Sequence, residues 1–75
     1  MITEKVRHRS TPAEPFARPG AHGRITRTHT DGPLRVTPAH RGIPAMAHVE
    51  WPLDDEASYF TWERLADLIF QKGRR

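Results

Sequence analysis

The chain has 75 residues, with twelve lysines and arginines against nine aspartates and glutamates and a formal net charge of +3. That length allows one small domain with a marginal core, because only roughly 60% of the unfolded surface is buried at this size. Cysteine is absent, which excludes disulfide staples and thiolate zinc sites, and no apolar run approaches the ~20 residues of a membrane-spanning helix.

Charge is unevenly spread. Residues 1–49 hold eight of the basic side chains against three acids, Glu4, Glu14 and Asp31, and residues 50–75 hold four against six. A bound anion is therefore expected to meet the front half. All five histidines, His8, His22, His29, His40 and His48, also lie there.

Residues 1–23 read as a flexible basic tail. Pro12, Pro15, Pro19, Gly20 and Gly23 interrupt any periodicity, and Ile2, Val6 and Phe16 are too few to repay the entropy of ordering. No apolar core follows the first nine residues, so no secretory signal is expected and the cytoplasm is the expected location. Phe16 is the one bulky side chain able to dock on the folded part or on a partner.

Residues 24–37 read as a β-hairpin. Arg24 to Thr30 are rich in β-branched residues, Asp31-Gly32 is a turn signal, and Leu34 to Thr37 return. Pro33 lacks an N–H and favours a four-residue loop, Thr30 to Pro33. This register sets His29 opposite Leu34 and Arg27 opposite Val36. Alternation places Ile25, Leu34 and Val36 on one face and Thr26, Thr28, Thr30, Arg35 and Thr37 on the other. Residues 38–44 read as a loop. A third strand follows over 45–51, with Ala45, Ala47, Val49 and Trp51 on the apolar face, and Pro52 ends it.

The last third is expected to be helical. Asp54 is the N-cap candidate, Asp55 and Glu56 load the first turn with negative charge, and Lys72, Gly73, Arg74 and Arg75 suit a C-terminus. At ~100° per residue, Tyr59, Trp62, Leu65, Ala66, Ile69 and Phe70 share one broad face, which is assigned to the core. Phe60, Arg64 and Leu68 fall on the opposite side at i, i+4 and i+8.

The expected fold class is therefore α+β. A small three-stranded antiparallel sheet packs against one C-terminal helix, as a βββα domain over 24–75 preceded by the flexible tail. In topology alone this arrangement resembles plant AP2-type and phage-integrase amino-terminal DNA-binding domains. The arginine- and tryptophan-rich strand pattern of those families is absent from residues 24–51, so no family is assigned.

No catalytic or metal motif stands out. The histidines lack paired metal spacing. Ser10 and Ser58 have no glycine-flanked elbow, and helix capping accounts for Asp54, Asp55 and Glu56. The expectation is a small non-enzymatic binding or regulatory protein with no cofactor, metal or membrane partner. Its leading mode is protein–protein contact, with a partner or in a homo-oligomer, through Phe60, Arg64 and Leu68. The alternative is DNA or RNA binding by the hairpin face and tail, using Arg24, Arg27, Arg35, Arg41, Thr26 and Thr28.

Overall fold

The structure is a computed structural model that describes residues 2–53 and 57–71. It forms one antiparallel sheet of six strands, curled into a half-barrel. The strands are β1 (Lys5–His8), β2 (His22–Ile25), β3 (Val36–Thr37), β4 (Met46–Pro52), β5 (Ser58–Arg64) and β6 (Leu68–Phe70). Among the described residues the only helical element is one 3-10 turn, Leu65–Asp67, between β5 and β6.

β4 is the hub. β5 runs along it for all seven residues, from Met46 opposite Arg64 to Pro52 opposite Ser58. β2 and β3 share the other edge, with Ile25 opposite Val49 and Val36 opposite Ala47. β1 then joins β2, and β6 closes the order on the far side of β1.

Strand alternation decides which side chains meet. Val6, Ile25, Ala47, Val49, Trp51 and Leu68 form the buried core, and Leu34, Val36, Leu65 and Phe70 pack against it. Gly23 has a specific role there. A Cβ at this position would fall 2.5 Å from the Trp51 ring and 2.8 Å from the Glu50 carbonyl oxygen. Only glycine lets the indole lie that close to β2.

The α+β expectation is overturned. Residues 58–70, expected to continue one helix, form β5, the 3-10 turn and β6 instead. Tyr59 to Trp62 are aromatic or β-branched, which suits a pleated surface. Pairing with β4 along the whole of β5 overrides the helical spacing of the apolar positions. The proposed caps, Asp54 to Glu56 and Lys72 to Arg75, lie outside the described residues.

The flexible N-terminal tail is overturned too. β1 is an interior strand, hydrogen-bonded to β2 on one side and β6 on the other. Val6 and His8 point inward and are buried, whereas Lys5 and Arg7 point outward. Four residues carry too short an alternation to announce a strand; distant partners on both edges supply it. The hairpin forms with its pairing shifted by two residues. Arg27 bridges Leu34, and Gly32 N–H donates to the His29 carbonyl in the turn. Asp31 takes the positive φ of 62° that the turn requires. An even shift preserves the faces, so Ile25, Leu34 and Val36 still point to the core.

A candidate binding face on the outer sheet

The outward side chains form rows across the strands. Paired residues share a face, so one row runs Lys5, Arg24, Glu50, Phe60. A second contains His48 and Trp62, with Thr26 bonded to His48 on the β2 side. A third runs Thr37, Met46, Arg64.

Three rings are contiguous on this face. The His48 and Phe60 rings lie nearly parallel at 10° with centroids 5.7 Å apart. His48 and Trp62 meet at 5.0 Å and 53°. Phe60 is 54% exposed and Trp62 47% exposed, so both present ring surface to solvent. The Thr26 hydroxyl pairs with His48 Nδ1 at 2.8 Å and holds the imidazole in place. Burial pulls the His48 pKa below its ordinary 6.5, and the Arg35 guanidinium pushes the same way. His48 is therefore a neutral ring at pH 7.

Arg35 lies beside His48, and Arg24 and Arg64 stand in the rows on either side. Arg24 is shared with Glu4 at 3.4 Å, and Arg64 makes a two-pronged contact with Asp67 at 2.9 and 3.3 Å. Among the described residues, Lys5, Arg7 and Arg35 have no carboxylate partner. Glu50 is the acid within the rows, beside Phe60.

The inner face holds a different constellation. Glu63, 6% exposed, receives His8 Nε2 at 3.0 Å, the Ala13 N–H at 3.0 Å and the Thr61 hydroxyl at 2.6 Å. Thr61 in turn accepts from Trp51 Nε1 at 2.8 Å. Ser10 N–H donates to His8 Nδ1 at 2.9 Å, which fixes the proton on Nε2 and makes His8 the donor to Glu63. Among the described residues no buried side-chain nitrogen or oxygen lacks a hydrogen-bond partner. With both His8 and Glu63 buried, the pair acts as a clasp between β1, β5 and the 9–21 loop. Beyond that clasp, Phe16 lies on the same loop, its ring 5.7 Å from Tyr59. It does not cover Phe60.

The residues singled out by the sequence are divided by the fold. Phe60 and Arg64 lie on the outer face of β5, but Leu68 is 2% exposed and belongs to the core, so the three share no surface. Thr26 and Arg35 lie beside His48, while Arg24 stands in the next row, opposite Glu50. Arg27 is turned to Glu4 and the Gly32 carbonyl, Thr28 bonds His29, and Arg41 sits at the exposed tip of the 40–43 turn. Sequence reasoning missed Trp62, His48 and Lys5. The signal for Trp62 is period two over Phe60, Trp62 and Arg64, which a helical reading splits between faces. Among the described residues no helix is long and apolar enough to cross a membrane, and no cluster of three metal-ligating side chains occurs. Set against known proteins, the chain matches no family model, no curated protein and no solved structure.

Proposed function

We propose that the chain is a non-enzymatic, cytoplasmic binding module whose outer sheet face takes single-stranded nucleic acid. The observation that carries this reading is the joined, solvent-facing set of His48, Phe60 and Trp62 with Arg35 beside it. Unstacked bases find flat π surfaces there, a contact worth about 1–3 kcal/mol per base and tolerant of sequence. Arginine forks beside the rings suit phosphate oxygens. Duplex bases are already stacked on one another and cannot reach such rings. Glu50 directs the backbone path away from its own row and toward the Arg35 and Arg64 side.

Fluorescence anisotropy with a labelled strand of about a dozen nucleotides tests this. Trp62→Ala or Phe60→Ala should weaken binding by about 5- to 100-fold. Arg35→Ala should lower the salt slope by about 0.7. Absence of binding to both single-stranded RNA and DNA at low salt removes the proposal. A second reading is favoured by Phe60, Trp62 and Arg64 standing exposed on one strand, since aromatic and arginine side chains dominate protein interfaces. In that reading Trp62 takes the place first given to Leu68.

A further inference from the structure

Among the described residues β5 ends the sheet, and β4 is its only strand partner. Its hydrogen-bonding phase can be read from both ends of the β4–β5 ladder. Leu65 N–H donates to the Ala45 carbonyl and Leu53 N–H to the Ala57 carbonyl. Successive residues in a strand bond to opposite edges. Tyr59, Thr61 and Glu63 therefore bond to β4, and Ser58, Phe60, Trp62 and Arg64 direct their N–H and C=O groups away from it. Phe60, Trp62 and Arg64 are exposed. The edge is seven residues long and contains no proline or lysine; of the charges that can blunt an open strand, Glu63 is bonded inside the sheet and Arg64 lies at the strand's end, paired with Asp67.

We propose that this edge pairs with the same edge of a second copy of the chain, antiparallel about a two-fold axis at Thr61. The strand is complementary to itself in that register and pairs over its full length. Phe60 then faces Trp62 of the second copy, Trp62 faces its Phe60, and Ser58 and Arg64 face each other in the same reciprocal way. Each of these pairs joins residues whose backbone groups point outward, so each exchanges both hydrogen bonds. Thr61 meets Thr61 of the second copy in a non-hydrogen-bonded pair at the axis. Sliding the copies by two residues leaves part of each edge unpaired. Sliding by one sets outward-bonding residues against inward-bonding ones. The two-fold makes the interface isologous and closed, and the two outer faces continue as one surface with aromatic pairs at its centre. A second copy also shields the edge of a small core that has little stability to spare.

This inference does not depend on nucleic-acid binding. Its test is the mass of the full chain by sedimentation equilibrium from low micromolar to near-millimolar concentration. The expected result is a rise from 8.6 kDa to twice that value. Trp62→Pro removes an N–H that β4 does not use, so it should hold the mass at one chain while the far-ultraviolet circular dichroism stays that of a folded sheet. A readout that leaves the β5 backbone N–H groups in place uses the absence of native cysteine. Phe60→Cys and Trp62→Cys chains, mixed and oxidised, should give the mixed disulfide at least about tenfold above either self-linked product, because only the mixed pair is directly opposed. A single-chain mass at every concentration overturns the proposal, as does self-linking that equals or exceeds the mixed product.

Discussion

β4 and β5 run side by side in unbroken antiparallel register, yet they distribute polarity in opposite senses. β4 turns Ala47, Val49 and Trp51 inward and Met46, His48 and Glu50 outward. β5 turns Thr61 and Glu63 inward and Phe60 and Trp62 outward. The β4 pattern is the one burial demands. The inverted pattern of β5 is tolerated for two separate reasons. Its inward polar groups are met by donors from distant parts of the chain, His8, Ala13 and Trp51. Its outward aromatics place apolar surface where a ligand or another chain can reach it. One strand thus builds the interior and its neighbour equips the exterior.

The two tryptophans give the largest break in this comparison. Trp51→Ala should cost about 3–5 kcal/mol, the usual range for emptying a buried indole site. That is comparable to the whole stability of many small domains, so the variant should be largely unfolded at room temperature. Trp62→Ala, on the neighbouring strand, should cost under about 1 kcal/mol because its ring is half in water. Urea denaturation followed by circular dichroism measures both. Equal losses would mean that the two faces of β5 had been interchanged.

Glu63 comes next. Glu63→Ala leaves the His8 Nε2–H, the Ala13 N–H and the Thr61 hydroxyl without their acceptor inside the sheet. A loss of about 3 kcal/mol is expected, since stranded buried donors each carry a desolvation penalty. Hydrogen exchange should also speed up in the 9–21 loop, which the carboxylate holds through Ala13. Slow exchange in that loop after the substitution would show that its own turn bonds, such as Gly20 N–H to the Ser10 carbonyl at 2.8 Å, are sufficient to hold it.

The same contrast explains what could be read from the sequence. β4 was legible because apolar and polar residues alternate over its length. The inward positions of Ile25, Leu34 and Val36 were legible for the same reason, even though the hairpin register was off by two. β5 was not. Its polar residues at Thr61 and Glu63 look solvent-facing until His8, 55 residues away, is brought to Glu63. With that alternation disguised, the apolar positions over 59–70 fitted a helix. β1 was hidden by brevity and by prolines that in fact belong to the following loop. Of the candidate site, Arg24, Thr26, Arg35 and Phe60 were recoverable as surface residues of suitable chemistry. Their place on one face with His48 and Trp62 was not, because it depends on β4 and β5 lying in register.

The smallest effect expected is a pH dependence at His48, where the two strands touch on the outer face. Burial first, and the neighbouring Arg35 charge second, hold the folded-state pKa of His48 below 6.5. The unfolded chain keeps the ordinary value. Above 6.5 the ring is neutral in both states and contributes no pH dependence. As pH falls through 6.5, the unfolded state takes up the proton first, so the folded state loses stability until its own, lower pKa is passed. The quantity to measure is a difference between the native chain and a variant at this one position. Urea midpoints of the native chain and of His48→Gln, each at pH 7.5 and 5.5, isolate it, since glutamine keeps a polar group beside Thr26 but does not titrate. The native chain should lose more stability between the two pH values than the variant does. Equal losses would show that His48 protonates as easily in the fold as out of it, and that the ring set between Phe60 and Trp62 is open enough to water to carry a charge.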